Sequence, residues 1–545
     1  MRLLILWCVA AYAWAQTGPP FMVDLRPVSA PALPGLHSFV WATDGKYWLL
    51  LGGRTNGLHW FVESSDGGTV PPPNGFPPSM ANRMAWVLDP ETGRAWSSSL
   101  QNLAANFRDH LSASNPQGYQ DGDTLYFVGG YGLDSTSDQM TTFGLVTAVE
   151  VKETIAAIIA GKPIDGFLQQ ASTYTSCPLA GTNAYNACTA DQSVIQKFNC
   201  AKYQGTPQWA VCTNQMLAYC RTQQTAATAA CVKNVTSGNR QGQPQGTAYY
   251  LKNAGGGLEK VGNVFQLVFG QDFEGMYSVN QGDYGKWPVT QTYSQRVAAF
   301  QFTPNPLRVD LLNLVLQDPN DASAPFNRRD LNVTPAMNPA DGGERILGFG
   351  GVFRPGQDTA YQKPVLIDNA GDPMNFTVKV DASYEQVMSQ YECARAPLYD
   401  RTARQFTTLF LGGISLYYLD PKTHRLRMDE GLPFIADVSA LTLQSNGSWS
   451  EAVRSVPMSR YLGADAAFLP DPAIPTSANG VQYVDGLVLP KRIGWMFGGI
   501  ESQGPRGGSS NGSGTLASNA LFEVWLTKPG AKPVWLPAVP ATKRP

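Results

Sequence analysis

An apolar run ending in a glycine pair recurs six times along the chain, and this limits the available folds more than any other feature. The runs are Tyr47–Gly53, Leu125–Gly130, Phe265–Gly270, Ile346–Gly351, Thr408–Gly413 and Gly494–Gly499. Each is short and rich in aliphatic and aromatic residues, the pattern of a buried strand. Paired glycines at its end let a neighbouring backbone approach closely and permit a positive φ in the turn that follows. The third run ends Gly270-Gln271 rather than in two glycines. Apart from one longer interval, successive pairs lie about 60 to 85 residues apart, enough for a small sheet with long loops.

The surroundings of each run supply further strands. Before the first pair, His37–Ala42 reads as an inner strand and Asp44-Gly45 as its hairpin turn. After it, Ala85–Leu88 is followed by a turn, Asp89-Pro90-Glu91-Thr92-Gly93, and a strand carrying Trp96. Similar companions are Arg296–Phe302, Pro364–Asp368 and Asn519–Leu526. This set resembles the kelch repeat. The resemblance runs from about residue 20 to about residue 540 apart from insertions. It implies an all-β fold, a kelch-type β-propeller of about six four-stranded blades. In the fifth repeat Leu416–Thr423 and Ser439–Leu443 both read as a third strand, which leaves a count of seven open. Closure is needed to hide sheet edges. Phe21–Leu25 is expected to add a strand to the last blade, and Pro533–Leu536 competes for that place.

Six of the eight cysteines fall in one segment: Cys177, Cys188, Cys200, Cys212, Cys220 and Cys231. They form no C-x-x-C pair and have no histidine among them, so zinc is not expected and three disulfides are. Six cysteines allow fifteen pairings, and spacing does not choose among them. Helical stretches such as Gln192–Phe198 and Asn214–Tyr219 carry too few apolar residues for a core of their own. Residues 165–240 therefore read as a small disulfide-rich helical insertion. It separates blades one and two, in residues 16–164, from blades three to six and a closing strand, in residues 241–545.

The first 15 residues read as a signal peptide: Arg2, an apolar core from Leu3, then Ala13-Trp14-Ala15. No later segment is long and apolar enough to span a bilayer. These features predict a secreted or periplasmic protein without a transmembrane anchor in its mature chain. Net charge is −2, and the basic residues form no run. Nucleic acid is therefore not an expected partner.

No nucleophile elbow, phosphate loop, metalloprotease or dinucleotide fingerprint is present. The four histidines, His37, His59, His110 and His424, do not occupy matching positions. A copper site like that of the kelch-fold radical oxidases, with Cys393 beside Tyr391 as its cross-link, is not expected. No cofactor and no metal are predicted. The resemblance places the ligand site at one mouth of the channel, where loops after the glycine turns meet those entering the inner strands. Candidate ligand-binding residues there are Arg54, Asp272, Glu274, Arg328, Arg354, Glu392, Arg460 and Glu501. Arginine forks and carboxylates suit a sugar acid or an acidic protein loop. The expected function is recognition of a protein or glycan through that mouth. The alternative is a carbohydrate-active enzyme of the sialic-acid mutarotase type, which needs only general acid–base help.

Overall fold

The apolar runs form strands that are buried on both faces, because each is packed between two neighbouring sheets. In the strand Trp48–Leu51, Leu49 and Leu51 join a cluster with Val87, Leu125 and Phe127, whereas Trp48 and Leu50 join one with Trp495 and Phe497. Alternate residues thus serve different cores, which is why the run is continuously apolar. The computed structural model describes residues 18–29, 31–58, 76–237, 248–275, 290–357, 359–420, 422–507, 514–530 and 533–538. The signal-peptide stretch and His59 lie outside them.

The fold is strand-rich and β-propeller-like. Six sheets built on antiparallel strands follow one another along the chain; four have four strands, and the third and fifth are larger, gaining the parallel strands Thr173–Ser176 and Gln482–Tyr483. Their innermost strands are Val40–Thr43, Gln117–Asp121, Gly257–Val261, Asn332–Met337, Ala394–Asp400 and Ala467–Pro470. The sixth sheet is completed by Met22–Pro27, which pairs antiparallel with Leu521–Thr527. The C-terminal Trp535–Pro537 instead extends the fifth sheet beside Trp449–Arg454. In the fifth sheet Phe434–Gln444 is the third strand, and Tyr417–Leu419 forms a separate hairpin with Leu426–Met428. A hydrophobic cluster fills each interface between consecutive sheets, and another joins the sixth to the first through Trp495, Phe497, Trp48 and Leu50.

The glycine pairs mark where one sheet grips the next. Gly52 and Gly53 have φ of +71° and +87°, and the Gly53 N–H donates to the Ala113 carbonyl in front of the second sheet at 2.8 Å. Gly130 donates likewise to Asn253 (2.7 Å), Gly270 to Arg328 (2.8 Å) and Gly499 to Leu36 (2.9 Å), the last linking the sixth sheet to the first. In the third sheet the pair is Phe269-Gly270, not Gly270-Gln271. Phe269 takes φ +52° where the other sheets place glycine, an uncommon conformation for a bulky residue. Its ring is fully buried against Phe326.

Between the second and third sheets the chain forms helices Cys177–Ala190, Gln192–Phe198 and Pro207–Thr236. Disulfides Cys177–Cys231 and Cys188–Cys220 staple the first helix to the last, and Cys200–Cys212 ties the intervening turn. Cys177, Cys231, Val232 and Val235 anchor this unit in the core between the third and fourth sheets. Among the described residues no helix is long and apolar enough to cross a membrane.

Candidate functional site

Just ahead of each innermost strand the backbone turns through a left-handed residue. These are Ser38, Asn115, Gly255, Asp330, Glu392 and Asp465, with φ between +38° and +64°. Glycine, asparagine and aspartate tolerate this region; glutamate does not favour it. Five backbone hydrogen bonds join the six positions head to tail. Asn115 N–H donates to Ser38 O (3.1 Å), Gly255 to Asn115 (3.2 Å), Asp330 to Gly255 (2.7 Å), Asp465 to Glu392 (2.6 Å) and Ser38 to Asp465 (3.3 Å). One residue from each sheet is thereby brought to a common centre.

Three of the six carry carboxyl groups, and they converge. Glu392 hydrogen-bonds both Asp330 and Asp465, and Asn115 Nδ2 donates to Glu392 Oε1 at 3.2 Å. Ser38 Oγ donates to Asp465 Oδ2 at 2.7 Å. His37 Nδ1 lies 2.7 Å from Ser38 Oγ and 3.3 Å from Asp465 Oδ2. Arg329 Nε stands 3.6 Å from Asp330 Oδ2. Burial and the two flanking carboxylates push the Glu392 carboxyl well above the ordinary glutamate range. Burial also raises Asp330, against the pull of Arg329. Burial raises Asp465 too, but hydrogen bonds from His37, Glu392 and Ser38, with the His37 charge, outweigh it and hold that group low. Neighbouring carboxyls are thus pushed apart, Glu392 upward and Asp465 downward. The His37 ring faces these oxygens through Nδ1, and its Nε2 is buried without a hydrogen-bond partner among the described residues.

These groups floor a pocket of about 410 Å³. Its wall is apolar, with Leu58, Phe76, Phe273, Phe353, Leu432 and Phe434 among the lining residues. Arg54 also lines it, stacked over Phe76 at 4.6 Å and donating to Asn56 Oδ1 and the Pro77 carbonyl. Burial lowers the Arg54 guanidinium to about 10. Among the described residues no group of three or more His, Cys, Asp or Glu is arranged to hold a metal ion.

Of the eight candidates from the sequence, Arg54 and Glu392 line this pocket. Arg328 does not: it is 1% exposed, and its guanidinium donates to the carbonyls of Pro325, Gly350 and Lys363. Asp272 and Glu274 engage Lys252. Arg460 pairs with Glu501 at 3.2 Å, and Ser518 donates to the same carboxylate. Arg354 is outside the lining, its backbone turned onto Thr359. Cys393 is buried next to the floor, where Asn332 Oδ1 accepts its N–H; burial pushes its thiol up to about 12. His37, read from sequence as the first residue of a strand, precedes it and enters the floor instead. His37, Ser38, Asn115, Asp330 and Asp465 were not singled out. Spacing could have found two: Ser38 lies 14 residues before Gly52, Asn115 14 before Gly129, and Gly255 14 before Phe269.

No family model matches the chain, and no curated protein matches it. Among solved structures, that of YjhT aligns with 92% of this chain and 99% of its own, at 10% identity and a TM-score of 0.39.

Proposed function

We propose that this chain is a secreted or periplasmic kelch-type propeller of six four-stranded blades that recognises a glycan through the mouth pocket. Residues 1–15 would direct export, and the three disulfides suit an oxidising compartment. The hydrogen bonds joining the sixth sheet to the first support the blade count and closure.

The observation that carries the glycan reading is the pairing of an apolar wall with a polar floor in one pocket. A sugar ring offers C–H faces to aromatic walls and hydroxyls to carboxylates, amides and imidazole. The volume lies in the range of small-ligand sites, roughly 300–1,000 Å³. The test is a thermal-shift series on residues 16–545 with neutral and acidic mono- and disaccharides. At least one sugar should raise the melting temperature in proportion to its concentration, and Asp465→Asn should abolish the effect. A flat response across the whole panel would sink the reading.

A second reading, the sialic-acid mutarotase type, is favoured by the floor itself. His37 and Glu392 place an imidazole and a carboxyl in one pocket, and assisted opening of a sugar hemiacetal requires one group that accepts a proton and one that gives it. Exchange NMR distinguishes the two readings. Catalysed interconversion of anomers, lost in both His37→Gln and Glu392→Gln, would favour the enzyme; binding without it would leave a recognition module.

A further inference from the structure

Beside the mouth pocket, a smaller cavity of about 170 Å³ lies between loops of the first and second sheets. Its lining holds three arginines, Arg54, Arg83 and Arg108, against one carboxylate, Asp109. Arg54 follows the first glycine turn, Arg83 leads into the strand Met84–Leu88, and Arg108 comes from the short helix Ala105–His110. Arg54 lines the mouth pocket as well; Arg83 and Arg108 do not.

The charges here do not balance. Asp109 is spent within the wall: its Oδ1 accepts from Arg108 Nε at 2.8 Å, and its Oδ2 from the Ser135 N–H and hydroxyl at 2.9 and 2.6 Å. The other two guanidiniums have no carboxylate; among the described residues neither Arg54 nor Arg83 forms an ion pair. Both lean on adjacent carbonyls instead, Arg54 Nη2 on Pro77 at 3.2 Å and Arg83 Nη2 on Pro78 at 3.1 Å. Successive carbonyls thus gather two like charges at one wall. Arg54 is only 3% exposed, and its Nη1 has no acceptor among the described residues yet is not sealed in protein. A buried charge without a counter-charge is costly, and paired guanidiniums offer the forked donors that oxyanions take. The cavity lies below the range of drug-sized ligand sites, roughly 300–1,000 Å³, so it suits an ion or a single substituent rather than a sugar ring.

We propose that this cavity is a second binding site, for a tetrahedral oxyanion, a sulfate or phosphate group, held between the Arg54 and Arg83 guanidiniums with Arg108 adding to the positive field. The site goes beyond the glycan reading and does not rest on it, since Arg83 and Arg108 stand outside the mouth pocket.

Isothermal titration of residues 16–545 with sodium sulfate, sodium phosphate, glucose 6-sulfate and glucose 6-phosphate tests this. Sodium chloride holds the ionic strength constant, so that general screening of surface charge does not vary. Saturable one-site binding of the inorganic ions would make the free ion the occupant; binding of the esters alone would make the group part of a larger ligand. In either case Arg83→Gln should weaken binding roughly tenfold or more, the loss of one charge-assisted contact. Arg83 is exposed and its side chain makes a single hydrogen bond, to Pro78, so this variant should fold. Arg94→Gln, at an exposed arginine of the same sheet outside the cavity, should bind as the unaltered chain does. Failure of all four anions to bind, unchanged affinity in Arg83→Gln, or an equal loss in Arg94→Gln would each overturn the site.

Discussion

Ser38 and Asp465 stand 427 positions apart in sequence and are joined twice: Ser38 N–H donates to the Asp465 carbonyl at 3.3 Å, and Ser38 Oγ to its Oδ2 at 2.7 Å. This double contact ties the first sheet to the sixth at the centre of the molecule. Ser38→Ala removes the side-chain half and leaves a buried carboxylate short of a donor. The cost should be about 1–3 kcal/mol, read from urea unfolding. Asp465 is held below its ordinary value of 3.8, so its stabilising contribution is present above that value and lost as pH falls through the depressed one. Acid unfolding of Ser38→Ala should therefore begin at a higher pH than in the unaltered chain. Identical acid profiles would show that the hydroxyl does not support the carboxylate.

Three other buried acids work in the opposite direction. Burial raises Glu259 to about 8 and Glu451 and Asp437 to about 7, against ordinary values of 4.5, 4.5 and 3.8. Between the ordinary and raised values the unfolded chain has lost these protons while the folded chain keeps them. Raising the pH then favours unfolding, by roughly 1.4 kcal/mol per pH unit for each group. The urea midpoint should fall steadily from about pH 5 to 8. Asp437→Asn should make that decline shallower.

Gly52→Ala should destabilise by well over the cost of its backbone conformation alone. The residue has φ +71°, and an added Cβ would sit 2.7 Å from the Ala113 carbonyl oxygen. Gly45→Ala is the control, with φ +95° and nothing within 4 Å of its Cβ. We expect about 1 kcal/mol for the control and clearly more for Gly52. Equal losses would mean that the approach of the second sheet is not what requires glycine.

The three disulfides should not be equivalent. Cys177–Cys231 closes the largest loop, 54 residues, and lies in the core between the third and fourth sheets; Cys200–Cys212 closes 12 residues in a turn. Replacing the first pair by serines should cost about 2–5 kcal/mol and loosen the helical unit. Loss of the last should cost less. Far-UV circular dichroism after selective replacement measures both.

The strands were legible because each apolar run must serve two cores at once, and that demand leaves an unbroken hydrophobic stretch. The N-terminal strand, with Asp24 and Arg26 in its middle, is no such run and was expected because closure of the last sheet needs an edge strand. The third glycine pair was misplaced by one residue because Phe269 accepts a conformation that glycine normally fills. Its side chain is needed against Phe326, and no pattern rule anticipates that exchange. The mouth was only partly legible. Arg54 and Glu392 border turns whose position is fixed by the strands. Arg328, Asp272 and Arg460 also border such turns, yet their side chains engage local partners instead. Direction of that kind depends on three-dimensional neighbours. Cysteine pairing was not legible at all, since it is set by which helices lie side by side.

The strand Met22–Pro27 is synthesised long before its partner Leu521–Thr527. Until that partner is made the early strand has nothing to pair with, and the first sheet has no neighbour on one side. Completion of this sheet must wait for Leu521–Thr527, and the early strand has to stay out of wrong pairings in the meantime. A few residues in either of these two strands then hold the same leverage over the molecule. Trimming past residue 22, or stopping short of residue 527, should open one seam from opposite sides and leave products that fail alike.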